Sequence, residues 1–95
     1  MINLRKLFKK YEDEYLTFDK VENKLSARHD IHAFILLNTL VPGTASMVAN
    51  AAHDEIWLDT DVEELAKVAT EEQILELIRC GVRFDSETES LAMFV

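Results

Sequence analysis

The chain has 95 residues, of which 48% are hydrophobic and 29% charged, and its net charge is −8. That length makes one domain, since two would each be too small to bury a core, and the few glycines and prolines are typical of an ordered chain. An acidic surface repels phosphate backbones and anionic membranes, so we expect neither direct nucleic-acid binding nor membrane binding.

Charge is distributed unevenly along the chain. Residues 1–30 hold seven Lys and Arg against six acids, whereas residues 53–95 hold three against twelve, a net of −9. Residues 31–52 carry no charged side chain, but Asn38, Thr39 and Pro42-Gly43 interrupt their apolar run, which indicates a core element and not a membrane span. One cysteine fits a reducing compartment, and the simplest location is the cytoplasm.

The first predicted element is an amphipathic helix over residues 2–16. Its apolar stripe follows helical spacing and consists of Leu4, Leu7, Phe8, Tyr11 and Tyr15. Residues 17–30 are polar and predict an irregular connection.

Residues 31–41 fit either a helix or a central strand, because the run is apolar on both faces. We favour a helix that Asp30 caps and Pro42-Gly43 ends. Its inward face would hold Ile31, Phe34, Leu37 and Val41. The small residues of 43–53 are compatible with close backbone approach or with a short helix, and they favour neither.

Local signals are clearest after residue 53. Residues 55–58 predict a short strand, and Thr60-x-x-Glu63 and Thr70-x-x-Gln73 are capping boxes that open helices over 61–69 and 71–80. Residues 82–85 alternate between apolar and polar side chains, residues 86–89 are typical of a turn, and residues 90–95 are apolar enough for a second strand. Together they predict a hairpin. The predicted fold is therefore α+β, with four helices on a small three-stranded antiparallel sheet and the C-terminal order strand-helix-helix-strand-strand.

That C-terminal order resembles the core of a winged-helix domain, with residues 86–89 as a short wing. In DNA-binding members of that family, the second helix of the pair enters the major groove with basic and amide side chains. Here that helix begins Glu71-Glu72-Gln73, and the wing carries Glu87 and Glu89. The resemblance therefore implies the topology without DNA recognition.

Three segments resemble small uncharacterised proteins of tailed bacteriophages: residues 53–58 (HDEIWL), 79–82 (RCGV) and 90–95 (SLAMFV). The resemblance includes no motif of known chemistry. It implies an accessory protein of the kind that binds and disables a host or defence component.

The acidic segment supplies the candidate interaction surface. Alternation places Trp57 on the strand face opposite Ile56 and Leu58, where either a helix covers it or a partner contacts it. The predicted surface comprises Trp57, Asp59, Asp61, Glu63, Glu64, Glu71, Glu72, Glu87 and Glu89. The acids fit three interpretations: solubility with helix capping, docking of a basic protein, or mimicry of DNA phosphates.

Other residues are candidates for ligand or metal binding. Arg28, Arg79 or Arg83 beside an aromatic ring would suit a small anion such as a signalling nucleotide. Metal-ligand side chains occur in two separate segments: His29 and His32, beside which no third ligand is evident, and His53 and Asp54, where carboxylates cluster without EF-hand spacing. The alternatives are a polar helix entrance and a solvated strand end. Cys80 is expected to be a buried structural residue, because a helix C-terminus raises a thiol pKa.

We therefore predict a non-enzymatic interaction protein that inhibits or sequesters a host or defence protein with a basic surface, and that needs no cofactor. The alternatives are sequestration of a small ligand and a metal-dependent enzyme. The stripe of the first helix, or an uncovered strand edge, further predicts a homodimer.

Overall fold

The computed structural model describes residues 2–22, 24–42 and 48–94. In chain order, its elements are α1 (Leu4–Lys10), α2 (His29–Leu40), β1 (Val48–Ala51), β2 (Glu55–Leu58), α3 (Val62–Val68), α4 (Glu71–Arg79), β3 (Val82–Asp85) and β4 (Ser90–Phe94). The α+β class is confirmed, with four α-helices in the described part of the chain. None of these helices is long and apolar enough to cross a membrane.

Within the described residues the antiparallel sheet has four strands, so the prediction of three is wrong. Their order is β1-β2-β4-β3, which differs from the order in the sequence and places β4 between β2 and β3. The unpredicted strand, β1, pairs with β2 at one edge, where Ala49, Asn50 and Ala51 are exposed. Ala and Asn are uncommon in strands, and an exposed edge lacks apolar alternation, so the sequence contains no strand signal here. Residues 43–47 lie outside the described residues.

α1 is shorter than the helix predicted over residues 2–16. It ends at Lys10, with Tyr11 as the C-cap, and a 3₁₀ turn follows over Glu12–Glu14. Three consecutive acids oppose continuation, because negative charge is unfavourable at a helix C-terminus. Leu16 then takes a left-handed conformation with a φ of 57°.

α2 confirms a helix for the ambiguous segment, although it begins before the predicted cap. Arg28 is the N-cap, and Asp30 lies in the first turn, where it pairs with Arg28 at 3.1 Å. The predicted inward face is right only in part: Leu37 is buried and Phe34 and Val41 pack against the core, but Ile31 is 41% exposed. The buried residues are His32, Ala33, Leu36 and Leu37. Since nearly every side chain of this helix is apolar, the sequence has no periodicity that identifies the buried face.

Side-chain caps define the starts of α3 and α4. Asp61 caps α3 by accepting from the N–H groups of Glu63 and Glu64, so the predicted Thr60 capping box is wrong. Asp is a somewhat better N-cap than Thr, and Thr60 lies buried instead. The predicted box at Thr70 and Gln73 is confirmed, since each side chain accepts from the other residue's backbone N–H.

α4 ends in a glycine turn. Cys80 is the C-cap, and Gly81 takes a φ of +91°. A Cβ atom at Gly81 would lie 2.8 Å from Leu16 Cδ1. The position therefore needs glycine for space as well as for conformation.

The helices and the inner face of the sheet share one core. Its fully buried side chains include Leu37, Leu65, Ile74 and Leu77 from the helices and Leu58, Val82, Leu91 and Met93 from the strands. Alternation turns the other strand residues to the outer face: Glu55, Trp57, Arg83, Asp85, Ala92 and Phe94. The sheet thus presents a polar and aromatic outer face to its surroundings.

Candidate functional site

The sheet register brings together two acidic segments that are distant in the sequence. Trp57 of β2 lies opposite Ala92 of β4, and Asp85 of β3 lies opposite Ser90. The end of β2 and the turn between β3 and β4 therefore lie at the same end of the sheet. The exposed acids there form a group that we call the acidic end: Asp59, Asp61, Glu63, Glu64, Glu87 and Glu89.

Part of the acidic end is neutralised by neighbouring groups. Glu89 pairs with Arg5 at 2.5 Å and Glu64 pairs with Lys67 at 3.2 Å, while the carboxylate of Asp61 caps α3. Within the acidic end, the carboxylates of Asp59, Glu63 and Glu87 have no hydrogen-bond or ion-pair partner among the described residues. Because these three charges are not neutralised, this end of the molecule keeps a negative field.

An apolar groove with a volume of about 450 Å³ opens at the acidic end. Glu63, Glu89 and Arg5 contribute to its walls. Its apolar lining comes from Ile2, Leu4, Val62, Ala66 and Phe84. An apolar concavity with carboxylates in its wall suits an apolar side chain that has Lys or Arg next to it.

Trp57 lies on the outer face of the sheet, as strand alternation predicts, and its ring is half-buried. Its Nε1 donates to Oδ2 of Asp85 at 2.7 Å, across β4. This hydrogen bond, helped by backbone N–H groups of the following turn, holds the pKa of Asp85 below its ordinary value. Trp57 therefore borders the acidic end with its single N–H already occupied, and not as a free aromatic anchor.

Glu71 and Glu72 lie away from the acidic end, although the sequence analysis grouped them with it. Glu71 accepts from the Tyr11 hydroxyl at 2.5 Å and from Lys10 at 3.4 Å, and these bonds lower its pKa. Lys10 lies at the C-terminal end of α1, whereas the acidic end pairs with Arg5 near the start of that helix. Glu71 and the acidic end therefore lie at opposite ends of α1. Glu72 lines a separate groove on α4, which we call the polar groove. Its other charged residues are Lys20, Glu22, Glu76 and Arg79.

Two of the candidate arginines make local ion pairs in different places. Arg28 is exposed and pairs with Asp30 at 3.1 Å. Arg79 pairs with Glu14 at 2.7 Å, beside the polar groove on α4. The structure therefore does not bring Arg28 and Arg79 into one pocket.

Arg83 has the aromatic neighbour that the ligand hypothesis requires. It pairs with Glu55 on the outer face of the sheet, and its guanidinium lies over the Phe94 ring, 4.6 Å from the centroid. Phe94 is 51% exposed. This corner of the sheet is open to a ligand.

The two histidines of α2 make separate structural contacts. Nδ1 of His29 donates to the Cys80 carbonyl oxygen at 2.8 Å. His32 is fully buried, its Nδ1 accepts from the Leu25 N–H at 3.0 Å, and its Nε2 lies 2.8 Å from a carboxylate oxygen of Glu76. An accepting Nδ1 leaves Nε2 as the protonated nitrogen, which donates to Glu76.

The remaining candidates for chemistry are His53, Asp54 and Cys80. His53 and Asp54 are exposed in the turn between β1 and β2. The described residues contain no group of three or more His, Cys, Asp and Glu side chains placed to hold a metal ion. Burial, with a contribution from Glu76, raises the pKa of the Cys80 thiol to about 12. Such a thiol is not a nucleophile at neutral pH.

Two features of the site were missed by sequence reasoning. The groove at the acidic end is lined by Phe84 together with Leu4 and Val62, which are distant from it in the sequence. No local signal predicts that arrangement. The Trp57–Asp85 bond had a partial signal, because alternation turns both side chains outward, but it requires the position of β4 between their strands.

Comparisons with known proteins leave this geometry as the basis for inferring function. No family model, no curated protein and no solved structure matches the chain.

Proposed function

We propose that this is a non-enzymatic binding protein whose acidic end docks a basic segment of a partner protein. The main support is the sheet register, which gathers the acids that follow β2 and those of the β3–β4 turn at one end of the sheet. The apolar groove at that end offers a position for one anchoring side chain.

Charge and shape together define the partner segment. The unpartnered carboxylates of Asp59, Glu63 and Glu87 favour Lys and Arg, and complementary charge would mainly raise the association rate. The lining of the groove favours an aliphatic or aromatic side chain between those basic residues. The resemblance to phage accessory proteins suggests that the partner is a host or defence protein, which docking would inhibit or sequester in the host cytoplasm.

A matched pair of charge variants tests this proposal. In the first, Asp59→Asn, Glu63→Gln and Glu87→Gln remove the three unpartnered carboxylates of the acidic end. In the control, Asp13→Asn, Asp19→Asn and Glu22→Gln remove three exposed carboxylates from the segment between α1 and α2, outside the acidic end. The net charge changes equally in both.

The measurement is capture of host proteins on the immobilised chain, followed by titration of the captured partner. We expect the acidic-end variant to lose the partner and the control to keep it, and added salt to weaken binding because exposed charges are screened. Equal retention by both variants, or capture of no stoichiometric protein, would contradict the proposal.

Self-association is proposed separately, through the edge of β1. The apolar stripe of α1 does not provide the surface, because Leu4, Leu7 and Phe8 are buried in the protein's own core. In the part of the chain that the structure describes, β1 lies at one edge of the sheet, and antiparallel pairing of residues 49–51 of two copies would extend the sheet into a symmetric dimer. Size-exclusion chromatography with light scattering tests this, and a monomer mass at micromolar concentration would refute it.

A further inference from the structure

We propose that a second groove, between α1 and β3, binds a nucleotide, with its cations contacting the phosphates and its aromatic rings stacking on the base. This groove has a volume of about 590 Å³, within the range of small-molecule sites. It contains four aromatic side chains, Phe8, Tyr15, Phe84 and Phe94, and three cations, Arg5, Lys9 and Arg83. The proposal does not rest on protein docking at the acidic end, although Arg5 and Phe84 line both grooves.

The charge balance distinguishes this groove from its two neighbours in the described structure. It combines three cations with a single acid, Glu12. The groove at the acidic end has one cation and two acids, and the polar groove on α4 has two cations and three acids. Of these three grooves on a chain with a net charge of −8, it is the one that best accommodates an anion.

The two arginines are held in place before any ligand arrives. Arg5 lies over the Phe84 ring at 5.4 Å, and Arg83 lies over the Phe94 ring at 4.6 Å. Each guanidinium also has a carboxylate partner, but it carries five N–H donors, and one carboxylate accepts only two of them in a fork. The N–H groups of Arg5 and Arg83 that these ion pairs leave over are the donors that a ligand phosphate would engage.

Lys9 provides a cation without a carboxylate partner among the described residues, and it is exposed at the groove. Its mobile ammonium suits contact with a terminal phosphate as a point charge. Tyr15 stays a neutral donor across the physiological range, because burial raises the pKa of its phenol. The exposed ring of Phe94 is the most accessible stacking surface. A phosphate and a flat ring are thus accommodated by different walls of one groove.

Titration calorimetry and amide NMR on the whole chain test the proposal. The probes are ADP, GDP, CDP and UDP, with adenosine and inorganic phosphate as separate arms. We expect at least one diphosphate to bind saturably and to shift the amides of α1 and β3. Adenosine alone and phosphate alone should bind more weakly, because each uses only one wall of the groove.

Variants on one helix separate a specific site from general charge. Lys9→Gln should weaken nucleotide binding by about ten-fold, as expected for loss of a charged hydrogen bond. Lys6→Gln changes the same charge on the same helix, but Lys6 does not line the groove, so its affinity should stay close to wild type. Phe94→Ala should weaken nucleotide binding more than phosphate binding, because it removes the stacking surface as well as the ring beneath Arg83.

Two results would overturn the proposal. One is the absence of saturable binding for all four diphosphates. The other is an equal loss of affinity in Lys9→Gln and Lys6→Gln, which would indicate unspecific attraction to the basic helix. The triple variant of the acidic end should keep nucleotide binding, so failure of protein docking and failure of this site can be told apart.

Discussion

The indole nitrogen of Trp57 donates to the carboxylate of Asp85 at 2.7 Å, although their strands do not pair with each other. β4 lies between the two strands, and its residue opposite Trp57 is the small side chain of Ala92. Arg83 of β3 reaches Glu55 of β2 over the same strand. Side chains on the outer face therefore tie β2 to β3 in addition to the backbone ladder.

The Trp57–Asp85 bond predicts a pH-dependent contribution to stability. Because the folded-state pKa of Asp85 is lowered, the charged carboxylate stabilises the fold above the ordinary Asp pKa of about 4. That contribution is lost as the pH falls through the lower, folded-state pKa. Asp85→Asn should therefore be less stable than wild type at neutral pH and approach it in acid. Urea unfolding by circular dichroism measures both, and a difference independent of pH would rule out this account.

His32→Ala should strongly destabilise the protein. The substitution opens a cavity in the core and leaves the Leu25 N–H and the Glu76 carboxylate without their partner. We expect a loss of about 2–4 kcal/mol in the free energy of unfolding. The control, His53→Ala, changes an exposed histidine and should stay within about 0.5 kcal/mol. Similar values for both variants in urea unfolding would show that the buried imidazole is not structurally important.

Two threonines that look alike in the sequence should respond in opposite ways. Thr70 caps α4 through a complete capping box, so Thr70→Ala should cost about 1 kcal/mol. The Thr60 hydroxyl is buried and has no hydrogen-bond partner within residues 2–22, 24–42 and 48–94. Thr60→Val removes that unsatisfied group and should leave stability unchanged or raise it. Thermal unfolding of the two variants makes the comparison, and an equal loss at both positions would contradict it.

Cys80 should resist alkylation in the native protein. Its thiol is fully buried and its pKa is about 12, so little thiolate is available at pH 8. Iodoacetamide labelling followed by mass spectrometry should give slow modification of native protein and rapid modification in urea. Fast stoichiometric labelling without denaturant would mean that the end of α4 opens readily.

The C-terminal half of the fold was predictable because its signals are local. The Thr70–Gln73 box, the glycine turn at Gly81 and the inward face of Ile74, Leu77 and Ile78 each depend on residues within one or two helical turns. Local signals also identified the strands that flank these helices. Only the order in which these strands pair could not be predicted from the sequence.

The failures have two physical causes. β1 consists of residues with low strand preference at an exposed edge, and the apolar surface of α2 gives no buried face by periodicity. Both elements are determined by tertiary contacts. An interaction surface is harder still to predict, because it depends on tertiary structure. Asp59 and Glu87 lie at the same end of the sheet only because of the strand order β2-β4-β3. Glu71 instead accepts a hydrogen bond from Tyr11, away from that end.

The central position of β4 has a consequence for the order of folding. Hairpin β3–β4 closes a short loop, whereas β2 joins it only across the intervening α3 and α4, which costs more chain entropy. We expect β2 to dock late, and stopped-flow fluorescence of Trp57 should then lag behind far-ultraviolet circular dichroism. Until that step, the two halves of the acidic end are not adjacent. A partner that recognises this end would therefore distinguish the finished protein from its folding intermediates.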